Sequence, residues 1–194
     1  MVMLVLFGLI ALSLVWSAGQ RLDLWIFQLF NFKGYHPAWL DRSMWVVTQL
    51  GNMLTAFFLA GLFFILNYRS LTVVIILGTL TLWLVVEIIK VLTDRARPFL
   101  TLEGTRVIGW RERGRSFPSG HTAQTFFLMT LFIQKFQIGL LGSIALYAIA
   151  GLVGFTRMYV GAHYPRDVIG GAVLGAVWGL LAALLNPFWL GLPL

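Results

Sequence analysis

Apolar residues gather along this chain in runs close to 20 residues long, separated by short polar islands. Six runs stand out, at about residues 1–18, 44–66, 71–92, 118–137, 139–157 and 166–185. Each is about the length a helix needs to cross a hydrocarbon core. The runs are too long for strands and lack period-two alternation, which disfavours a transmembrane barrel. The pattern predicts an all-α integral membrane protein with six transmembrane helices, one domain over residues 1–194. Residues 21–41, after the first run, mix Leu22, Leu24, Trp25, Phe27, Leu29 and Phe30 with polar positions. That stretch suits an interfacial segment lying along the membrane surface, or else a loop packed on the bundle. In the sixth run, Gly171, Gly175 and Gly179 recur every four residues, a spacing that lets another helix approach closely in lipid.

Counting crossings places the polar islands. If the N-terminus lies on one side, the islands around Lys90–Arg97, Pro118–His121 and Arg157–Asp167 all emerge on the opposite side. A different helix count between any two of them would put them on opposite faces.

Composition strengthens the membrane reading. Hydrophobic residues make up 59% of the chain and charged residues 11%, with a mean hydropathy of +0.88; a soluble globular protein carries roughly 25% charge. The first run has no charged segment before it, and Trp16 spoils the small-residue pattern of a cleavage site after Ala18, so it is expected to be a retained helix rather than a signal peptide. The net charge of +7 favours anionic head groups or substrates as partners. The basic residues flank membrane segments and form no separate domain, so no nucleic acid is expected as a partner. There are no cysteines, which excludes disulfides, thiolate chemistry and cysteine-ligated zinc without choosing a compartment.

The islands carry the chemistry. Lys90 and Arg97 are two helical turns apart and would share a face if the helix continued, with Asp94 between them and Glu87 one turn before Lys90. Pro98 disfavours helical geometry at Arg97, so the helix is expected to stop there. In Pro118-Ser119-Gly120-His121 the proline suits a first helical position, and the N–H groups of the first turn form an anion site. Gly120 allows close approach of an anion, Ser119 adds a hydroxyl, and His121 adds a titratable group. In the third island, His163 precedes Pro165, another helix start, with Asp167 in its first turn. A carboxylate there can reach back to the imidazole N–H, fix the tautomer and leave the other nitrogen as a nucleophile or base. Arg157 offers a planar fork for phosphate oxygens. His36 falls outside any such cluster and reads as an interfacial residue. Metal sites fit poorly: His121 and His163 lack zinc spacing, and carboxylates are too few for a two-metal cage. A Ser-His-Asp hydrolase is allowed by residue type, but no nucleophile-elbow sequence surrounds Ser119.

Taken together, Lys90-x6-Arg97-Pro98, Pro118-Ser119-Gly120-His121 and Arg157-x5-His163-x3-Asp167 resemble the three-part signature of the type-2 phosphatidic acid phosphatase family. Order, spacing and the six-helix core all match, so the resemblance covers most of the chain. One departure is Thr156, where the family's third motif usually opens with Ser. The resemblance implies a lipid phosphatase that uses no metal and no other cofactor. His163 would attack phosphorus and form a phosphohistidine, and Asp167 would orient it. His121 would protonate the leaving oxygen and then activate water. Lys90, Arg97, Ser119, Gly120 and Arg157 would hold the phosphoryl oxygens. The implied partners are a membrane lipid phosphate and the bilayer, with no obligatory protein partner.

Orientation gives conflicting signals. The face bearing the islands holds 12 of the 14 basic residues, leaving Arg69 and Lys135 opposite, and the positive-inside rule would make that face cytoplasmic. The resemblance to bacterial enzymes instead implies a multi-pass protein of the bacterial inner membrane with its site facing the periplasm or outer surface. Loop residues Arg111, Arg113 and Arg115 are candidate head-group contacts. Phosphatidylglycerophosphate, phosphatidic acid, undecaprenyl pyrophosphate and lipid A phosphates all remain open as substrates. Two alternatives stand beside the hydrolase. One is a lipid-to-lipid phosphotransferase on the same site; the other is an anion transporter or channel, disfavoured because the charges gather at one face.

Overall fold

The computed structural model describes residues 2–31 and 36–189, without the side chains of 2, 4 and 186–189; residues 32–35 of the expected interfacial segment and residues 1 and 190–194 of the expected domain lie outside it. Every regular element among the described residues is helical. The protein is an all-α integral membrane protein. Its outer surface carries large apolar side chains such as Phe58, Val91, Leu92 and Leu141, each more than 70% exposed, as lipid contact permits and water does not.

The first apolar run is divided. Helix α1 (Val2–Ser13) ends before α2 (Ser17–Phe30), which turns 88° away from it. At 12 and 14 residues, α1 and α2 reach the length and hydropathy of one span only as a bent pair. The second run is broken as well: α3 (Ala38–Thr48) and a short 3-10 turn lead into α4 (Met53–Ile65) across a 59° bend. Asn52 restarts the chain there as an N-cap, its side chain accepting from the Leu54 N–H at 3.0 Å. Then come α5 (Arg69–Thr93), a four-residue α6 (Pro98–Thr101), α7 (Gly120–Lys135), α8 (Leu140–Tyr159) and α9 (Pro165–Trp189). Among the described residues, α5, α8 and α9 are each long and apolar enough to cross a membrane, or five spans if each bent pair is one. Helix α7 has only 16 residues, so it reaches the expected sixth only as a short element.

The core lies between α4, α5, α7 and α9, with Ile75, Leu82, Phe127, Leu128 and Leu131 buried. Helices α7 and α9 pack together most extensively. The glycines of α9 make this possible: a Cβ at Gly171 would meet the Ser119 carbonyl, and one at Gly175 the Ala123 carbonyl. This close seam fixes the start of α7 against the start of α9, and the polar islands sit at those two starts.

Local geometry departs from the sequence expectation at two places. Helix α5 stops at Thr93, because Asp94 adopts a left-handed conformation (φ 48°), so Asp94 does not share a helical face with Lys90 and Arg97. Arg97 is instead extended, at the N-cap of α6 with Pro98 next to it. Helix α7 begins at Gly120 rather than Pro118. Ser119 serves as its cap, its hydroxyl accepting from the N–H (3.4 Å) and hydroxyl (2.9 Å) of Thr122.

Candidate active site

A cavity of about 340 Å³ opens at the end of the bundle where the three islands meet. Lys90, Arg97, Gly120, His121 and His163 line its polar side, with Glu112 and Arg113 from the 102–119 loop. Leu82, Trp83 and Val86 of α5 form an apolar wall on the same cavity. Arg97, Arg157, His163 and Asp167 are each no more than 1% exposed.

The two arginines reach the site from different helices. Arg157, in the last turn of α8, donates from Nη1 to the Thr48 hydroxyl at 2.7 Å and from Nη2 to Glu112. Arg97 donates from Nε to the Gly114 carbonyl (3.2 Å) and from Nη2 to the Arg113 carbonyl (3.3 Å), which ties the loop to the site. Its Nη1 faces the Ala162 carbonyl (3.1 Å), Glu112 Oε2 (3.0 Å) and His163 Nε2 (3.1 Å). A guanidinium can only donate, so Nε2 of His163 accepts and the ring proton belongs on Nδ1. The Nε2 lone pair thus points at Arg97 Nη1 on the wall of the cavity, and an attack from it would have to take the place of that hydrogen bond. Burial pushes the His163 imidazole far below its ordinary range, and the charges of Arg97 and Arg157 lower it further, against an upward pull from Glu112. The ring is neutral, as a nucleophile requires.

Asp167 stands behind His163, with Oδ2 3.6 Å from Nδ1, too far for a hydrogen bond; Nδ1 makes none. The carboxylate is held by other groups. Oδ1 accepts from Arg95 Nη1 at 2.5 Å, and Oδ2 from the Ser116 hydroxyl at 2.5 Å and the Tyr164 N–H at 2.8 Å. Arg95 in turn pairs with the buried Asp23 of α2 at 2.5 Å, and Asp23 also accepts from Arg166 Nε at 2.7 Å. Asp23, Arg95 and Ser116 were not singled out in the sequence reading. Asp23, an acid between Leu22 and Leu24 in an apolar stretch, was the one available signal.

Other candidates fall as follows. Lys90 pairs with Glu87 at 2.7 Å and lines the cavity. Ser119 is fully buried as the cap of α7, its N–H donating to the Asp167 carbonyl at 2.9 Å. The Thr156 hydroxyl turns back onto its own helix, donating to the Val153 carbonyl at 2.6 Å. Of the loop arginines, Arg113 lines the cavity, Arg115 pairs with Asp94, and Arg111 lies over the Phe99 ring. His36 packs edge-on against Tyr159 rather than lining the cavity.

The centre of this cluster is occupied by Glu112. Oε1 meets Arg157 and lies 3.9 Å from His121 Nδ1, while Oε2 meets Arg97 and lies 3.8 Å from His163 Nε2. Burial alone would raise this carboxyl, but Arg157, His163, His121 and Arg97 together hold it well below the usual carboxylate range. A stable anion at this point marks an anion-binding centre between two imidazoles.

Fold and site together define a membrane-embedded helix bundle with a buried anion-binding centre at one end. The family model described as the PAP2 superfamily matches residues 68–189, and the chain belongs to that superfamily. The crystal structure of a transmembrane PAP2 type phosphatidylglycerolphosphate phosphatase from Bacillus subtilis superposes with a TM-score of 0.78 at 25% identity, covering 96% of this chain and 94% of that one. The undecaprenyl-diphosphatase BcrC of Bacillus subtilis is 28% identical over 170 residues, 84% of this chain and 86% of that protein. A lipid A 1-phosphatase of Rhizobium johnstonii is 43% identical over 72 residues, 36% of this chain and 27% of that protein. The chain spans between 27% and 47% of the length of the four curated relatives that it matches at 36% identity or more.

Proposed function

We propose that the protein is a lipid phosphatase that needs no metal ion and works through a phosphohistidine on His163. The observation that carries this reading is the carboxylate of Glu112 lying between Arg97, Arg157, His121 and His163. Two guanidiniums and two imidazoles converge on one anionic group, with Lys90 and the start of α7 on the same cavity. A phosphoryl group in that place has fixed positive charge where its transition state spreads negative charge.

The geometry supports the following steps. The Nε2 lone pair of His163 attacks phosphorus and forms an N–P bond as the bond to the leaving oxygen breaks. Protonated His121 gives its proton to that oxygen. Neutral His121 then takes a proton from water, whose oxygen attacks phosphorus while the N–P bond breaks and His163 is restored. Asp167 faces the Nδ1–H side of the ring and offsets the positive charge that the phosphorylated imidazole acquires. The apolar wall of Leu82, Trp83 and Val86 lies beside this chemistry and suits a substrate whose phosphate enters from head-group depth while its tail stays in lipid. The relatives' names attach to phosphatidylglycerophosphate, undecaprenyl diphosphate and lipid A, all lipid phosphates or pyrophosphates. The protein belongs in a bacterial inner membrane with this face toward the periplasm.

The test is phosphate release by purified protein in EDTA across a panel of lipid mono- and pyrophosphates. Release that persists in EDTA and vanishes in His163→Ala is expected. Release lost in EDTA, or retained in full by His163→Ala, contradicts the reading. Absence of release without an added acceptor lipid favours the phosphotransferase.

A further inference from the structure

We propose that Glu112 is a specificity-determining residue whose carboxylate occupies the phosphoryl subsite until a more highly charged ligand displaces it, so that the site refuses phosphodiester lipids. The proposal rests on the phosphatase reading for the nature of the ligand that enters.

The Glu112 carboxylate divides its oxygens as a bound phosphoryl group would. One meets Arg157 and faces His121, and the other meets Arg97 and faces His163. The side chain comes from an irregular loop and is 30% exposed, in contrast to the two arginines it joins, at 2%. It has a way out toward solvent that the arginines lack. Arg97 grips the loop through backbone carbonyls of Arg113 and Gly114, using Nε and Nη2, while Nη1 meets Glu112. Rotation of Glu112 out of the cavity thus removes the anionic partner of Nη1, which keeps the Ala162 carbonyl and His163 Nε2, without releasing the loop. The backbone on either side is set by Gly109 and Gly114, both at positive φ, and a Cβ at Gly109 would collide with the Trp45 ring.

The consequence is a comparison of charges. A carboxylate carries one negative charge, and so does the phosphodiester of an ordinary membrane phospholipid. A phosphate monoester carries about −1.5 to −2 at neutral pH and three peripheral oxygens. The diester gains nothing by replacing Glu112 on the same arginines, whereas the monoester brings extra charge and an oxygen for Lys90 or the first N–H groups of α7. An enzyme surrounded by diester lipids is thereby kept free for scarce monoesters and pyrophosphates, since discrimination can come from a competitor built into the site.

The experiment uses the full chain in detergent with Glu112→Gln, which keeps the shape and removes the charge, and Glu112→Ala as a second variant. Binding of inorganic phosphate is measured by calorimetry, alone and with dioleoylphosphatidylglycerol as a diester competitor. Phosphate is expected to bind about tenfold more tightly to the variants, as for loss of one charge-assisted competitor. The diester is expected to compete with phosphate in the variants and not in the wild type. Phosphate affinity that is unchanged or weaker in both variants overturns the proposal, as does continued exclusion of the diester. Because this readout needs no turnover, it is separate from the lipid assay: a wild type that releases no phosphate while the variants bind it more tightly would remove the phosphatase reading and leave Glu112 as the gate of an anion site.

Discussion

Arg95 holds Asp167 more closely than His163 does: Nη1 of the arginine is 2.5 Å from Oδ1, whereas Nδ1 of the histidine is 3.6 Å from Oδ2. The carboxylate that faces the nucleophile is therefore shared with a cation, and that cation is shared with Asp23. In the low-dielectric interior such a set is balanced only while every charge has its partner.

Asp23→Asn should disturb this balance from α2, outside the three motifs. Arg95 and Arg166 would lose a buried counter-charge, and Arg95 would draw more strongly on Asp167. The expected result is a loss of about 3 kcal/mol in stability, the usual cost of breaking a buried pair from one side. The expected kinetic change is a lower kcat with KM little altered, because Asp23 touches none of the phosphoryl ligands. Thermal unfolding in detergent and steady-state kinetics check both. A raised KM at constant kcat would contradict this role.

Burial of neutral His163 predicts the pH dependence of stability. Its pKa in the fold lies well below the value of 6.5 it has when unfolded. Below 6.5 the unfolded chain therefore binds a proton that the folded chain does not, so this histidine's contribution is full above that pH and falls as the pH drops toward the folded pKa. One proton corresponds to about 1.4 kcal/mol per pH unit. Melting temperatures from pH 5 to 6.5 should rise more steeply with pH in the wild type than in His163→Gln. Equal slopes would show that His163 titrates alike in both states.

The seam between α7 and α9 should tolerate no side chain at Gly175. Gly175→Val places a branched group against the Ala123 carbonyl and must push the two helices apart. Overpacking of this kind costs about 1–3 kcal/mol. Activity should fall with stability, because Ser119 and His121 ride on one helix start and His163 and Asp167 on the other. Gly151, inside α8 where a Cβ meets nothing within 4 Å, is the control: Gly151→Ala should leave activity unchanged and stability undiminished.

Much of this arrangement was legible in the chain, for identifiable reasons. Apolar runs report lipid directly, and crossing parity alone puts the islands on one face. The glycine spacing of α9 foretold the close seam. What escaped were features set by local backbone geometry. The breaks at residues 14–16 and 49–52 lie within or beside continuous apolar sequence and turn on a cap and a sharp bend. Asp94 ended α5 three residues before the proline-based stop. Asp23, Arg95 and Ser116 join Asp167 from separate segments, and no spacing rule links α2 to the first turn of α9. Glu112 was visible as a member of the 101–116 loop, which reads as a head-group reader or lid, and not as a residue of the phosphoryl site. Its place at the centre of the site depends on how Arg97 folds that loop back.

The most direct test of the central claim is to trap the covalent intermediate. A lipid pyrophosphate labelled at its terminal phosphate with radioactive phosphorus, whose leaving group departs as a phosphate and needs no proton, would be mixed with His121→Ala, which retains the nucleophile and lacks the group that activates water, and quenched in alkali. Label is expected on His163, stable to alkali and lost in acid, with none when His163 is also replaced. Label on another residue, or its persistence without His163, would contradict it.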